Sequence, residues 1–361
     1  MHTNEETRMK TRSLRQTALA LVGSATFFGC LDSSTDSGNP DIEAQAVLEN
    51  VASKVILATY ADLAVKAAGL SEAVTDFDGD PTEAKLAAAR NAWKAARRPW
   101  EQSEAFLFGP VDSKGIDPSI DTWPVNAVDL KGVLASSAAL NTAYVDNLAD
   151  NLKGFHTLEY LLFGNLGKPV SAFTSREREF LKAATASFQA ATAKLETSWS
   201  ATGENFIANF KEFGPGKLYQ SQKAAVQELI NGMIDICDEV ATGKIGGPFG
   251  DQDRSGEESQ FSDNSNADFA DNIRGVQNVY LGHYGAGSSG NGLGELVKVA
   301  LPDVDTRFTS EIEAAILAIG EMTPSFGEAI ISNKPKVQAA QAAILKVQKT
   351  LEVDVLPIVA D

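Results

Sequence analysis

Leu86-Ala-Ala-Ala-Arg-Asn-Ala-Trp-Lys-Ala-Ala-Arg-Arg-Pro-Trp100 carries the pattern on which the fold turns. Leu86, Ala89, Trp93, Ala96 and Trp100 recur at spacings of three and four, the period of one buried face of an α-helix. The same period joins Val47, Val51, Val55 and Ala58, and Thr174 with Glu177 makes a capping box ahead of an Ala-rich run to Trp199. Further helices are expected at about 217–242, 265–284, 307–331 and 335–356. The apolar–polar alternation of a half-buried strand is missing. The chain reads as all-α.

Composition narrows the function. The 361 residues hold 31 Lys and Arg against 48 Asp and Glu, a net charge of −17, with three His and two Cys. A nucleic-acid partner needs a clustered basic face, which this chain lacks. Two cysteines cannot build a disulfide scaffold, and no apolar run is long enough for a transmembrane helix.

Residues 1–29 read as a secretory signal peptide: Lys10, Arg12 and Arg15 precede an apolar run from Thr17 to Phe28. Phe-Phe-Gly-Cys30 resembles a bacterial lipobox, which makes Cys30 the expected lipidation site and 30–41 a polar, flexible tether. The expected location is therefore exported, periplasmic or outer-membrane, with membrane contact through the lipid anchor only. Cys237, beside Ile234, Ile236 and Val240, reads as a buried thiol.

Gly203, Gly214, Pro215 and Gly216 mark 201–216 as a linker between an N-terminal bundle, 42–200, and a C-terminal bundle, 217–361. A short repeat supports the division. Lys153-Gly-Phe-His-Thr-Leu-Glu-Tyr-Leu-Leu-Phe-Gly164 aligns with Arg274-Gly-Val-Gln-Asn-Val-Tyr-Leu-Gly-His-Tyr-Gly285. The expected architecture is two related helical-bundle domains packed across a cleft.

His156 and Glu159, three apart, share a helix face that is otherwise apolar through Leu152 and Phe163. A carboxylate buried there needs a cation or several donors; equally, the pair reads as a core histidine satisfied by its glutamate. Glu104 continues the Trp93–Trp100 stripe by four, whereas Arg97, Arg98 and Glu101 read as a solvated or ion-paired face. Pro99 is expected to kink the helix. The loop from Gly109 to Asn126 carries Asp112, Asp117 and Asp121 among prolines and Trp123, and is suited to bring one carboxylate to the helix.

Five stretches together resemble one family: Arg98 to Asp112, Ile116 to Asn126, Gly154 to Gly164, Glu258 to Ser262, and Asn272 to Gly282. They are similar to imelysin-like proteins, whose Gly-x-His-x-x-Glu motif is matched by Gly154, His156 and Glu159. The resemblance implies two helical bundles, export in a bacterium, and a role in iron uptake with a functional site between the bundles. It implies metal ligands at His156 and Glu159, joined by Glu104 and Asp121 as the best matches for an upstream glutamate and a loop aspartate. From the matched motifs, Trp100, Glu258, Ser259, Ser262, Gln277 and Tyr280 are the expected ligand-binding residues. The expected partners are a metal or iron-related ligand and a protein of iron uptake.

The family also carries a peptidase label, so a metallopeptidase using His156 and Glu159 is the alternative. The chain has neither His-Glu-x-x-His nor His-x-x-Glu-His, and one imidazole among carboxylates suits a single iron or manganese ion better than zinc. A di-iron centre would need two Glu-x-x-His motifs.

Overall fold

The computed structural model describes residues 44–285 and 290–359, which belong to one compact unit, Glu43–Asp361. The signal peptide, Cys30 and the tether lie outside the described residues. The helices that matter here are α1 (Leu57–Gly79), α2 (Glu83–Ser103), α3 (Ile116–Asp121), α4 (Gly154–Phe163), α5 (Ser175–Trp199), α6 (Gln222–Asp238), α7 (Ser265–Leu281), α8 (Pro302–Gly320) and α9 (Lys334–Thr350). Among the described residues there is no strand, and no helix is long and apolar enough to cross a membrane.

Local chemistry sets the ends. Thr82 caps α2 by accepting from the Lys85 amide, and Ser221 caps α6 through the Ala224 amide. The Thr174–Glu177 box forms in full, with the Glu177 amide donating to the Thr174 hydroxyl and the Thr174 amide to the Glu177 carboxylate. Leu86, Ala89, Trp93, Ala96 and Trp100 are all buried, and α2 continues through Pro99 to Ser103.

Two expected spans differ. The helix expected over 307–331 is interrupted between α8 and a short helix at Phe326–Ser332. Pro324 explains the break: it has no N–H for an intrahelical bond and disfavours helical backbone at Thr323. After Asp238, α6 passes into a wider π-helical turn, Glu239–Ile245, in place of ending at 242. The stretch expected as a linker is itself packed, since Phe206–Phe210 forms a 3₁₀ turn whose rings lie 4.8 and 6.1 Å from Trp199.

Helix α1 packs on α2 and α5, α8 packs on α9, and α7 packs on both α2 and α8. The α2–α7 crossing is close because Gly275 has no side chain: a Cβ there would strike the Gln102 carbonyl. Polar contacts lock it, with Gln102 donating to Asp271 (2.8 Å) and Asn278 to Gln102 (2.8 Å). The two aligned twelve-residue stretches differ locally. Gly154 is the first residue of α4 at φ +74°, whereas Gly275 lies inside α7. The glycines answer different needs, a backbone turn in one and a close helix approach in the other.

Candidate metal centre

The Gly-x-His-x-x-Glu motif builds the site from both of its ends. A side chain at Gly154 would be strained at its positive φ and would run into the Ile120 carbonyl. Glycine therefore lets α3 end directly against α4, and the last residue of α3 is Asp121. At the other end, Glu159 is buried and its Oε1 accepts from the Phe261 amide (3.1 Å), the Ser262 amide (2.8 Å) and the Ser262 hydroxyl (2.7 Å). That anchors the segment preceding α7, which carries Glu258.

His156 lies between these two arms. Its Nε2 is 3.1 Å from Asp121 Oδ1 and its Nδ1 is 3.8 Å from Glu159 Oε2, yet neither nitrogen makes an aligned hydrogen bond. The close approach to Asp121 is therefore electrostatic. Asp121 is also held by Arg97 and by the Trp100 indole N–H at 2.6 Å.

A charged layer continues behind this group. The buried Arg97 guanidinium meets Glu101 (2.5 Å), Glu258 (2.8 Å) and Asp121, stands 3.6 Å from Asp268, and lies over the Phe155 ring. Lys244, from the π-helical turn, places its Nζ 2.5 Å from Glu104, 3.2 Å from Glu258 and 3.6 Å from Glu101. Asn272 donates to Glu101 (2.7 Å) and Glu104 (3.0 Å). Asp268 accepts from Ser259 at 2.6 Å.

The charges do not balance. Glu101, Glu104, Asp121, Glu159, Glu258 and Asp268 share the interior with Arg97, Lys244 and one imidazole. Protons make up part of the deficit. Burial pushes Glu101 up to about 8 against the pull of Arg97 and Lys244, and pushes Glu104 well above the usual carboxylate range. Burial likewise raises Asp268 to about 6. For His156, burial opposes the charged form, but the Asp121 carboxylate outweighs it and the pKa rises to about 9. Asp121 goes the other way: burial is overcome by Arg97 and His156, which hold it well below the ordinary value.

Ligand atoms of Asp121, His156 and Glu258 lie within 4.8 Å of one another, and so do those of Glu101, Glu104, Asp121 and Glu258. This acidic and imidazole cluster has donors able to coordinate a divalent metal. The donor set fits such an ion, because each carboxylate oxygen keeps lone-pair capacity beyond its present partner and the imidazole can bind a metal once its proton is released.

The structure thus brings Glu104, Asp121 and His156 together through Glu258. Glu159 sits at the margin, outside both ligand groups, with one oxygen spent on Ser262. Trp100, Ser259 and Ser262 line the cluster as donors to its carboxylates. Tyr280 has a different partner, its hydroxyl donating to Asp305 at 2.7 Å. Of the two expectations for this face, Arg97 and Glu101 follow the ion-paired one (2.5 Å) and correct the solvated one, since both are fully buried, while Arg98 is exposed. The reason is tertiary: α7 covers this side of α2. Lys244, Asp268 and Asn272 were not legible as site residues. The one local hint was Arg97, Glu101 and Glu104 falling at spacings of four and three.

The imelysin (peptidase M75) family model matches residues 56–353. Iron-regulated protein A of Synechococcus elongatus is 31% identical over 353 residues, covering 96% of this chain and 94% of that protein. A solved structure described as an iron-regulated protein A precursor from Parabacteroides distasonis superposes with a TM-score of 0.79 at 28% identity, covering 91% of this chain and 98% of that one. An imelysin-like protein from Psychrobacter arcticum shares the fold, with a TM-score of 0.69 at 15% identity, over 88% of this chain and 97% of that one. The chain belongs to the imelysin family.

Proposed function

We propose that this protein is an exported, lipid-anchored imelysin-like protein of bacterial iron uptake that holds one divalent ion, iron or manganese in preference to zinc, at the buried cluster. The ion would be held by Asp121, His156 and Glu258, with Glu104 and Glu159 in support. The observation that carries this reading is the buried approach of Asp121, His156 and Glu258, whose ligand atoms lie within 4.8 Å of one another beside an excess of carboxylates. When bound, the ion supplies the positive charge that the cluster lacks. Asp121 and Glu258 are positioned by the two ends of the motif, Arg97 pairs with both, and the surrounding side chains are buried. The site lies between two helical bundles, 42–200 and 217–361, joined through 201–216. Cys30 carries the anchor, and an iron-uptake protein is the partner.

The same geometry argues against the peptidase reading. A general base must face its substrate. Here Glu159 is buried with one oxygen accepting three hydrogen bonds. The test is thermal unfolding of the purified mature protein with Fe(II), Mn(II) or Zn(II), beside His156→Ala. An ion that binds the native state at about a hundred times its Kd should raise the melting temperature by roughly 4 °C, and His156→Ala should abolish the rise. No shift with any of the three ions overturns the reading.

A further inference from the structure

We propose that residues 253–262 form a lid over the buried cluster, latched by Glu159, which opens as a local unit and carries Glu258 out with it. What the lid admits, a divalent ion, rests on the reading above; the opening itself does not. Glu101, Glu104, His156, Glu258 and Asp268 are all buried, so nothing reaches them from solvent unless part of the wall moves. Glu101, Asp121, His156 and Asp268 stand on α2, α3, α4 and α7, Glu104 on a 3₁₀ turn continuous with α2, and Lys244 on the π-helical turn. Glu258 is the one carboxylate of the cluster that stands on no helix, in an irregular stretch over 257–264.

Three features make this stretch movable. Its backbone is held by side chains where a helix would hold its own: the Phe261 and Ser262 amides donate to Glu159, and the Ser259 amide donates to the Ser265 hydroxyl (3.1 Å). It is bounded by two exposed non-glycine residues in the left-handed region, Gln252 at φ +54° and Asp263 at φ +57°, whose strain is released when the stretch lifts. Its outer ties are light. Phe261 meets the edge of Tyr160 with 5.2 Å between ring centroids, both rings only half-buried, and Lys94 Nζ donates to the Ser262 carbonyl (3.3 Å). On the inner side Glu258 pairs with Arg97 and Lys244. Withdrawing it lowers the carboxylate excess of the interior, and both cations keep partners: Arg97 has Glu101 and Asp121, and Lys244 has Glu104 and Glu101. Glu159 is the strong tie, because one buried oxygen accepts three hydrogen bonds from the lid at once.

Hydrogen exchange on the ion-free mature protein, followed by mass spectrometry across urea concentrations below unfolding, reads the opening. The amides of 259–262 should exchange at least about tenfold faster than those of α2 and α5, with almost no urea dependence, as a small local opening does. Glu159→Ala should speed them by a further factor of about ten or more while α2 and α5 stay as in wild type. Glu159→Gln, which keeps a carbonyl acceptor, should fall between. Tyr160→Ala removes only the outer ring contact and should speed the same amides about three- to tenfold; it carries the test if the Glu159 variants do not fold. Mn(II) uptake by stopped flow then reads the gate. Its rate should level off with ion concentration at the opening rate, and Tyr160→Ala should raise that plateau. Exchange of 259–262 only together with the core, at the core's urea dependence, overturns the lid, and Mn(II) binding to wild type would still leave the proposed function standing. A rate proportional to Mn(II) throughout overturns the gate in the same way. Local exchange with no Mn(II) uptake has the opposite meaning: the lid stands and the ion reading falls.

Discussion

His156 and Glu101 both bind protons more tightly in the folded chain than in the unfolded one, at about 9 and about 8. For His156 the sign is that of a raised base: its contribution is complete below the unfolded value near 6.5 and is lost as pH rises through about 9. Glu101 acts the same way over its own window, because burial outweighs Arg97 and Lys244 and makes its ionisation cost stability from the unfolded value near 4.3 up to about 8. Asp121 and Glu258, whose pKa values are lowered, act only in acid. The ion-free protein should therefore lose stability steadily from about pH 5 to 9, read as the urea midpoint at each pH. A flat or rising profile would contradict this charge layout. Binding a divalent ion should release protons, so affinity should tighten from pH 6 to pH 8. Arg97 is the other decisive residue. Arg97→Met leaves Asp121, Glu101 and Glu258 without their shared cation and should cost about 3–5 kcal/mol, with Arg97→Lys intermediate because it lacks the planar fork. Urea unfolding of the two variants checks both the size and the order.

At the scale of elements, the motif helix α4 is a dock for two acidic arms. Gly154→Ala should cost at least about 1–2 kcal/mol from its backbone conformation alone, and should displace Asp121 so that ion-dependent stabilisation disappears. Gly69→Ala is the matched control. It lies inside α1 with nothing near its missing Cβ, and the change should stabilise by about 0.5–1 kcal/mol. Much of this level was legible in the sequence. The Trp93–Trp100 stripe and the capping box at Thr174 follow from short-range periodicity and capping chemistry, whereas Asp121 was singled out among the three aspartates of its loop by the family resemblance. Arg97 and Glu101 were not legible, because their burial depends on α7 crossing α2 at Gly275. Lys244 was hidden for two reasons. It is 140 residues from Glu104, and the π-helical turn takes it out of the 3.6-residue register by which a helix face is read.

For the whole molecule, the cluster joins segments from α2, α3, α4, the π-helical turn after α6, and the stretch before α7, so folding and site assembly are one event. The buried excess of carboxylates is the price of that convergence, and an ion there should couple to global stability and not to one helix. Export is tested separately: Cys30→Ser should move the protein from the membrane fraction to the soluble one while leaving ion binding intact. The ion itself is located most directly by anomalous diffraction from crystals equilibrated with Mn(II). A peak is expected among His156, Asp121 and Glu258, at about 2–2.6 Å from an imidazole nitrogen and carboxylate oxygens, and absent in His156→Ala crystals. Saturating Mn(II) with no peak at that position, and Arg97 still bridging Asp121 and Glu258, would contradict a metal centre in this protein.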